Sequence, residues 1–291
     1  MLDFIINPIA GDKTGKKMKN KLVVIENYLK SKNADYRFHF TERFKHATEI
    51  TKTLIENGAE KIIVAGGDGT LHDVINGFSD FDKTVLGLLP CGTGNDFAAA
   101  IGMPNDVEKA LDVILTAEPK FTDFMQMPSV RGINIIGAGI DVDVLKRYNA
   151  LKKKTKIGYA KCLFKTLHDF KYTDFYVNVN GEEKKYTSFI VCIANGFRYG
   201  GGIAICPPAV AFDNQLDFLT VKKMNKLKLI ASFNKLKAGK VLSFPETEHT
   251  VMQSVSIKTD YPITVNVDGE LYDGIPFNVE IVKNTLRMLR P

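Results

Sequence analysis

The sequence predicts an α/β domain with a parallel sheet over residues 1–122, followed by an all-β sandwich over residues 123–291. Three observations predict it. Strand-like apolar runs alternate with helix-like stretches up to about Phe121. Such alternation builds a parallel sheet covered by helices on both faces. Beyond Phe121 the chain turns to short strand-like runs separated by turns such as Asn180-Gly181 and Asp268-Gly269, the pattern of a sandwich. Two glycine turns, Gly66-Gly67-Asp68-Gly69-Thr70 and Gly92-Thr93-Gly94-Asn95-Asp96, each follow an apolar run and precede a helix-like stretch.

Taken in order, Leu2–Asn7 is a buried strand ending at Pro8, and a helix runs from about Met18 to Lys30. Tyr36–Phe40 is a strand, and Thr41 is placed to cap the next helix, Ala47–Glu56. Lys61–Ala65 and Val85–Leu89 are further strands, with helices expected after Thr70, over Leu71–Phe78, and from Phe97. In the second half the strand runs are Gly132–Ile136, Phe175–Val179, Ser188–Ala194, Leu216–Val221, Val251–Ile257, Ile263–Val267 and Pro276–Val282, and the extreme C-terminus is free to return to the first domain. The clearest helix there spans Ile157–Lys171. Ile157, Ala160, Leu163, Phe164, Leu167 and Phe170 share one face, with Lys156, Lys161 and Lys165 off it. That face packs on the sandwich or docks on a membrane; packing is the expectation.

Bulk composition bounds the function. The chain has 291 residues, 45% hydrophobic and 25% charged. No apolar run approaches the roughly 20 residues that span a bilayer, and the N-terminus lacks the marks of a signal peptide. Cys91, Cys162, Cys192 and Cys206 show no CxxC spacing and suit a reducing compartment. A cytoplasmic protein is expected. Cys91 is either a reactive thiol or a neutral turn filler, the latter expected. The charge is uneven. Residues 1–145 carry 16 Lys and Arg against 20 Asp and Glu, and residues 146–291 carry 23 against 13. The basic half is a solvated face or meets an anionic surface.

The chemistry lies in the turns. Glycines let backbone amides approach a phosphate, and a helix N-terminus adds partial positive charge. Thr93 can donate to a phosphate. Asp68 and Asp96 place carboxylates where phosphate oxygens would sit, which calls for a bridging cation. Ligands of parallel sheets bind beyond the carboxyl ends of the strands, so the turns at Asn7, Gly66 and Gly92 can face one crevice. Neither glycine turn matches the P-loop or the dinucleotide fingerprint. A tight structural turn is the plain alternative for either alone.

These turns, with Asn7-Pro8-Ile9-Ala10-Gly11, resemble the diacylglycerol kinase catalytic domain, and more narrowly the soluble bacterial lipid kinases related to it and to sphingosine kinases. Tyr199-Gly200-Gly201-Gly202, Cys206-Pro207-Pro208-Ala209, Asp213-Asn214-Gln215-Leu216-Asp217 and Val267-Asp268-Gly269-Glu270 extend the resemblance over essentially the whole chain. It implies an ATP- and Mg²⁺-dependent kinase acting on a lipid hydroxyl, diacylglycerol first. Asn7, Pro8, Ile9, Ala10, Gly11 and Thr41 would contact nucleotide. Gly66, Gly67, Gly69, Thr70, Gly92, Thr93 and Asn95 would hold it and its phosphates. Asp68 and Asp96 would join a water network around Mg²⁺, with Asp123 a further member. Asp213 and the carbonyls of Val210 and Gln215 would bind a structural Mg²⁺, and Glu270 would be the general base. Implied partners are a lipid at a membrane surface through peripheral contact and no nucleic acid; a homodimer is compatible with the sequence. The chain departs from the family pattern at Ala10, at His72-Asp73 and at Asn214, the last two near metal positions. NAD kinase and a nucleotide-binding regulator without catalysis are the rival readings.

Overall fold

The computed structural model describes residues 1–12, 14–151, 156–179, 181–225, 228, 235–236 and 238–291. The chain forms two compact units: Met1–Phe124 with Ala211–Asn214 and Val282–Pro291, and Met125–Val210 with Gln215–Ile281.

The first unit is an α/β fold. Its elements are β1 (Leu2–Ile6), α1 (Lys16–Ser31), β2 (Tyr36–Phe40), α2 (His46–Glu56), β3 (Lys61–Gly66), α3 (Asp68–Gly77), β4 (Val85–Pro90), α4 (Asp96–Ala100) and α5 (Val107–Thr116). The four strands run parallel in the order β4-β3-β1-β2. The chain moves from β1 to β2 in one direction and from β3 to β4 in the other. Right-handed crossovers then put α1 on one face and α2 and α3 on the opposite one. The packing agrees: α1 lies on α5, and α2 on α3. Strands covered on both faces have no polar side, and β1 and β4 are buried throughout.

Two local expectations change. Thr41 does not cap α2; Lys45 holds the N-cap position with φ 59°, while the Thr41 amide donates to the Ile6 carbonyl at 2.9 Å. The helix expected over Leu71–Phe78 starts earlier, at Asp68. Asp, Gly and Thr look like turn formers, yet they are tolerated in a first helical turn, where amides lack intrahelical partners.

After β5 (Pro119–Gln126), the second unit contains β6 (Arg131–Gly132), β7 (Ile135–Gly139), α6 (Ile140–Asn149), α7 (Lys156–Asp169), β8 (Thr173–Val179), β9 (Glu182–Ala194), β10 (Leu216–Lys222), β11 (Thr247–Met252), β12 (Ser254–Thr259), β13 (Thr264–Val267) and β14 (Glu270–Asp273). Strand β9 is the hub. Its first half pairs with β8 and its second half lies between β7 and β10. Alternation along β9 and β10 feeds two cores. Val191, Ile193, Leu216 and Phe218 enter the sandwich interior. Ile190, Cys192, Leu219 and Val221 face a second core with residues of α6 and α7. The final strand β15 (Phe277–Leu289) pairs antiparallel with β12 through Phe277–Glu280 and parallel with β4 through Met288 and Leu289.

The run expected as one strand, Val251–Ile257, is two strands broken at Gln253. Helix α7 buries Cys162, Leu167 and Phe170, whereas Phe164 is 44% exposed although the helical pattern grouped it with the packed face. The side chains of Lys156, Ile157 and Ala160, and residue Asn180 of the expected Asn180-Gly181 turn, lie outside the described residues. Among the described residues no helix is long and apolar enough to cross a membrane.

Candidate functional site

Chain order reverses between β1 and β3, and their carboxyl ends carry Asn7 and Gly66. A crevice opens at such a reversal in a parallel sheet. Three turns meet there. The Asn7 amide continues the ladder to the Ala65 carbonyl at 3.2 Å. The Asn7 side chain donates through Nδ2 to Thr70 Oγ1 at 3.2 Å, and its Oδ1 accepts from the Ile9 amide at 3.1 Å. One side chain thus ties the Pro8–Gly11 loop to the head of α3.

The two glycine turns touch backbone to backbone. A Cβ on Gly92 would lie 2.5 Å from the Gly67 Cα, closer than any side chain could accept. The Gly66 carbonyl accepts from the amides of Cys91 at 2.7 Å and Gly92 at 3.1 Å. The Gly92 amide also donates to Asn95 Oδ1 at 2.9 Å. Asp68 then crosses from the first turn to the second: its Oδ1 accepts the Phe97 amide at 3.1 Å. Neither Gly67 nor Gly92 has positive φ, so these glycines serve close approach rather than unusual backbone angles. Gly11 does need its φ of 83°, and a Cβ there would lie 2.9 Å from the Cys91 carbonyl oxygen.

This packing sorts the expected residues. Thr93, Gly69 and Ile9 are exposed; Thr70, Ala10 and Asp96 are buried; Asn7, Pro8, Gly67, Asp68, Gly92 and Asn95 are intermediate. Asp96 is the first residue of α4 and sits beside the amide that Asp68 accepts. Cys91 is buried, and burial pushes its thiol up, which leaves it protonated and unreactive. Among the departures, Ala10 brings no hydroxyl. His72 is buried near Asn76. Burial raises the half-buried Asp73 carboxyl, opposed by His72 and Lys45.

A second acidic group forms at the other return of the chain. Asp123 on β5 is buried, and its Oδ2 accepts the Asn214 amide at 2.7 Å. Burial pushes its carboxyl up; the Asn214 amide pulls it down, and the neighbouring Asp213 pushes it up again. Two repelling carboxylates are suited to a divalent cation. Asn214 turns with φ 66°, a conformation asparagine tolerates. Asp213 falls in the first unit, and Val210 and Gln215 in the second.

Glu270 opens β14 directly after a two-residue hairpin turn. Asp268 and Gly269 both have positive φ, 53° and 97°, as a primed turn between twisted strands requires. The turn is pinned twice. Asp268 accepts from the amides of Ile133 at 2.8 Å, Asn134 at 2.9 Å and Ile135 at 3.1 Å. Asn266 Oδ1 accepts the Gly269 amide at 2.8 Å, and its Nδ2 donates to Asp141 Oδ2 at 3.0 Å. Asp141 is buried, and burial pushes its pKa up to about 6. Among the described residues it is the one carboxylate lining a narrow apolar cavity, about 40 Å³, bounded by residues such as Val144, Leu167, Phe189 and Ile205. Sequence reasoning missed Asp141 and Asn266. The signal present was a pair of acids, Asp141 and Asp143, inside the otherwise apolar stretch Ile135–Val144.

Comparison with known proteins agrees with this geometry. The family profile of the diacylglycerol kinase catalytic domain matches residues 2–127. That of the YegS C-terminal NAD kinase beta sandwich-like domain matches residues 134–290. The chain is 27% identical to a diacylglycerol kinase of Staphylococcus carnosus, over 99% of this chain and 94% of that protein. It is 28% identical to one of Bacillus subtilis, over 93% of this chain and 89% of that one. Its fold is similar to the crystal structure of a diacylglycerol kinase from Bacillus anthracis, with TM-score 0.79, 24% identity and coverage of 100% and 96%. With both halves matched in order and the turns assembled as described, the chain belongs to the diacylglycerol kinase-like lipid kinase family and is a kinase of the phosphotransferase class.

Proposed function

We propose that this kinase uses ATP with Mg²⁺ to phosphorylate a lipid hydroxyl, diacylglycerol first, giving phosphatidic acid. The observation that carries the nucleotide half is the contact of Gly67 with Gly92, which sets two amide-rich turns side by side. The first intrahelical bond of α3 runs from the Leu71 amide to the Gly67 carbonyl. The amides of Asp68, Gly69 and Thr70 precede it, and no side chain caps the helix at Gly67. Amides so placed suit a phosphate chain. Thr93, exposed on the second turn, adds a hydroxyl donor.

Asp68 and Asp96 are the carboxylates in position to organise water around Mg²⁺, and Asp213 with the Val210 and Gln215 carbonyls is the proposed structural Mg²⁺ set. Bound Mg²⁺ neutralises charge on phosphate oxygens, which is most of what phosphoryl transfer needs. Glu270 is the proposed base. It accepts the proton of the attacking lipid hydroxyl, and the pinned Asp268-Gly269 turn fixes its position.

The lipid half rests on the apolar cavity beside Asp141. An acyl chain entering it must displace side chains, and Asp141 is the acidic group it would meet. Peripheral membrane contact is consistent with α7, which exposes Phe164 beside Lys161 and Lys165. ATP consumption measured with diacylglycerol micelles and with NAD as sole acceptors tests the reading. Consumption with diacylglycerol alone is expected. Consumption with NAD alone, or ATP binding without turnover on either, would overturn it.

A further inference from the structure

Three side chains outside the kinase machinery converge on the outer face of the sandwich sheet. Cys206 Sγ, a carboxylate oxygen of Asp217 and a ring nitrogen of His249 all lie within 4.8 Å of one another. We propose that Cys206, Asp217 and His249 form a binding site for one zinc-class transition-metal ion, separate from any Mg²⁺ used in phosphoryl transfer.

The strands dictate the convergence. In the antiparallel register of β10 and β11, Leu219 lies opposite His249. Asp217 is two residues from Leu219 and so shares its face, diagonal to His249. His249 Nε2 meets Asp217 Oδ1 at 2.6 Å. Cys206 comes from a short loop fixed at both ends. Its amide donates to the Phe197 carbonyl at 3.0 Å, and its carbonyl accepts the Ala209 amide at 3.0 Å. Pro207 and Pro208 follow and stiffen the loop. Cys206 is fully buried, Asp217 is 3% exposed, and the His249 side chain is 23% exposed. The cluster is therefore enclosed on two sides and open to solvent along His249.

The donor set decides the class of ion. One thiolate, one imidazole and one carboxylate are ligands zinc takes, usually with a fourth position for water. Mg²⁺ demands oxygen ligands in octahedral geometry and is a poor match for sulfur. At zinc bond lengths, tetrahedral ligand atoms sit about 3.4–3.6 Å apart. The Asp217–His249 contact would open by roughly 0.8 Å to reach that spacing, and the 4.8 Å envelope accommodates the triangle. An Asp–His ion pair alone would account for their hydrogen bond. It does not account for a buried thiol reaching the same point. Burial and the nearby Asp217 raise the Cys206 thiol. Ligation forms an S–metal bond in place of the S–H bond, and the proton leaves to solvent. Among the described residues strand β11 pairs only with β10, so the ion would clip this strand to the sheet and to the Cys206 loop. Ligand spacings of 11 and 32 residues match no zinc motif, and the site is invisible in the sequence.

Cobalt titration of the chelator-treated full chain tests the proposal, because a thiolate–Co²⁺ bond has its own charge-transfer absorption. In excess Mg²⁺, the expected result is a band saturating at one Co²⁺ per chain and displaced by Zn²⁺. It should vanish in Cys206→Ser and weaken at least tenfold in affinity in His249→Gln, with circular dichroism of each variant matching the parent. No band on the folded parent protein would overturn the proposal, as would a band undiminished in both variants. Should Cys206→Ser not fold, His249→Gln and the parent spectrum decide.

Discussion

The Asp68 carboxylate accepts the backbone amide of Phe97 at 3.1 Å. With Asn95 as the N-cap of α4, Phe97 is its second helical residue. Asp68 therefore does what an N-cap side chain does, but from another turn of the chain. Asn95 itself has φ 52° and makes no side-chain cap. The acid that faces the proposed nucleotide site also joins the two turns that form it.

This double role separates two substitutions. Asp68→Asn keeps an oxygen for the Phe97 amide and loses the charge; Asp68→Ala loses both. Both should lower kcat by about 100-fold or more. Only Asp68→Ala should also lose stability, by about 1 kcal/mol. Turnover on lipid micelles and urea denaturation check the pair.

Gly92→Ala probes the contact between the turns. Its backbone angles suit alanine, so the damage comes from the 2.5 Å approach to the Gly67 Cα. Backbone cannot yield as a flexible side chain can. A loss of roughly 1–3 kcal/mol is expected, with ATP affinity falling at least tenfold by calorimetry.

The hairpin at Glu270 gives a contrasting pair. Asp268→Ala strips the acceptor from three amides, those of Ile133, Asn134 and Ile135. It should cost about 2–4 kcal/mol in urea denaturation. Glu270→Gln should leave stability and the KM for ATP near parent values while kcat falls about 100-fold or more. Near-normal turnover would remove Glu270 as the base.

Asp141 should leave a signature in pH. Its pKa is raised from 3.8 to about 6 by burial, so the folded state binds the proton more tightly than the unfolded one. Its protonated form favours folding below pH 3.8, and that advantage is lost as pH rises towards 6. Asp141→Asn cannot ionise. The stability of Asp141→Asn relative to the parent should therefore grow across that window, by about 3 kcal/mol at most, and level off above it. Denaturation of both proteins from pH 4 to 7 measures the difference; a flat difference would show that Asp141 does not titrate there.

Much of the fold was legible because it is written in local patterns. Leu2–Ile6, Tyr36–Phe40 and Val85–Pro90 are apolar or β-branched runs bounded by turn residues, and each is a strand within a residue of expectation. The Asp268-Gly269 turn was legible from residue type, but the short strand that closes its hairpin, Glu270–Asp273, was not among the expected runs. Helix starts were less legible. Lys45 holds the N-cap position of α2 in a left-handed conformation, without a side-chain cap, and lysine is not a residue type that announces such a position. The glycines of the two turns pointed to a phosphate site, but that Gly67 and Gly92 touch one another depends on the β3–β4 register. Asp141 and Asn266 were hidden for the same reason. They lie 125 positions apart and meet only when β7 and β13 pair.

Transfer of labelled γ-phosphate from ATP into the organic phase, with Mg²⁺ and diacylglycerol in mixed micelles, tests the central claim most directly. Label in phosphatidic acid, lost in Glu270→Gln and in Asp68→Asn, is the predicted result. No lipid-soluble label from diacylglycerol or from a broad panel of other lipid alcohols would contradict it.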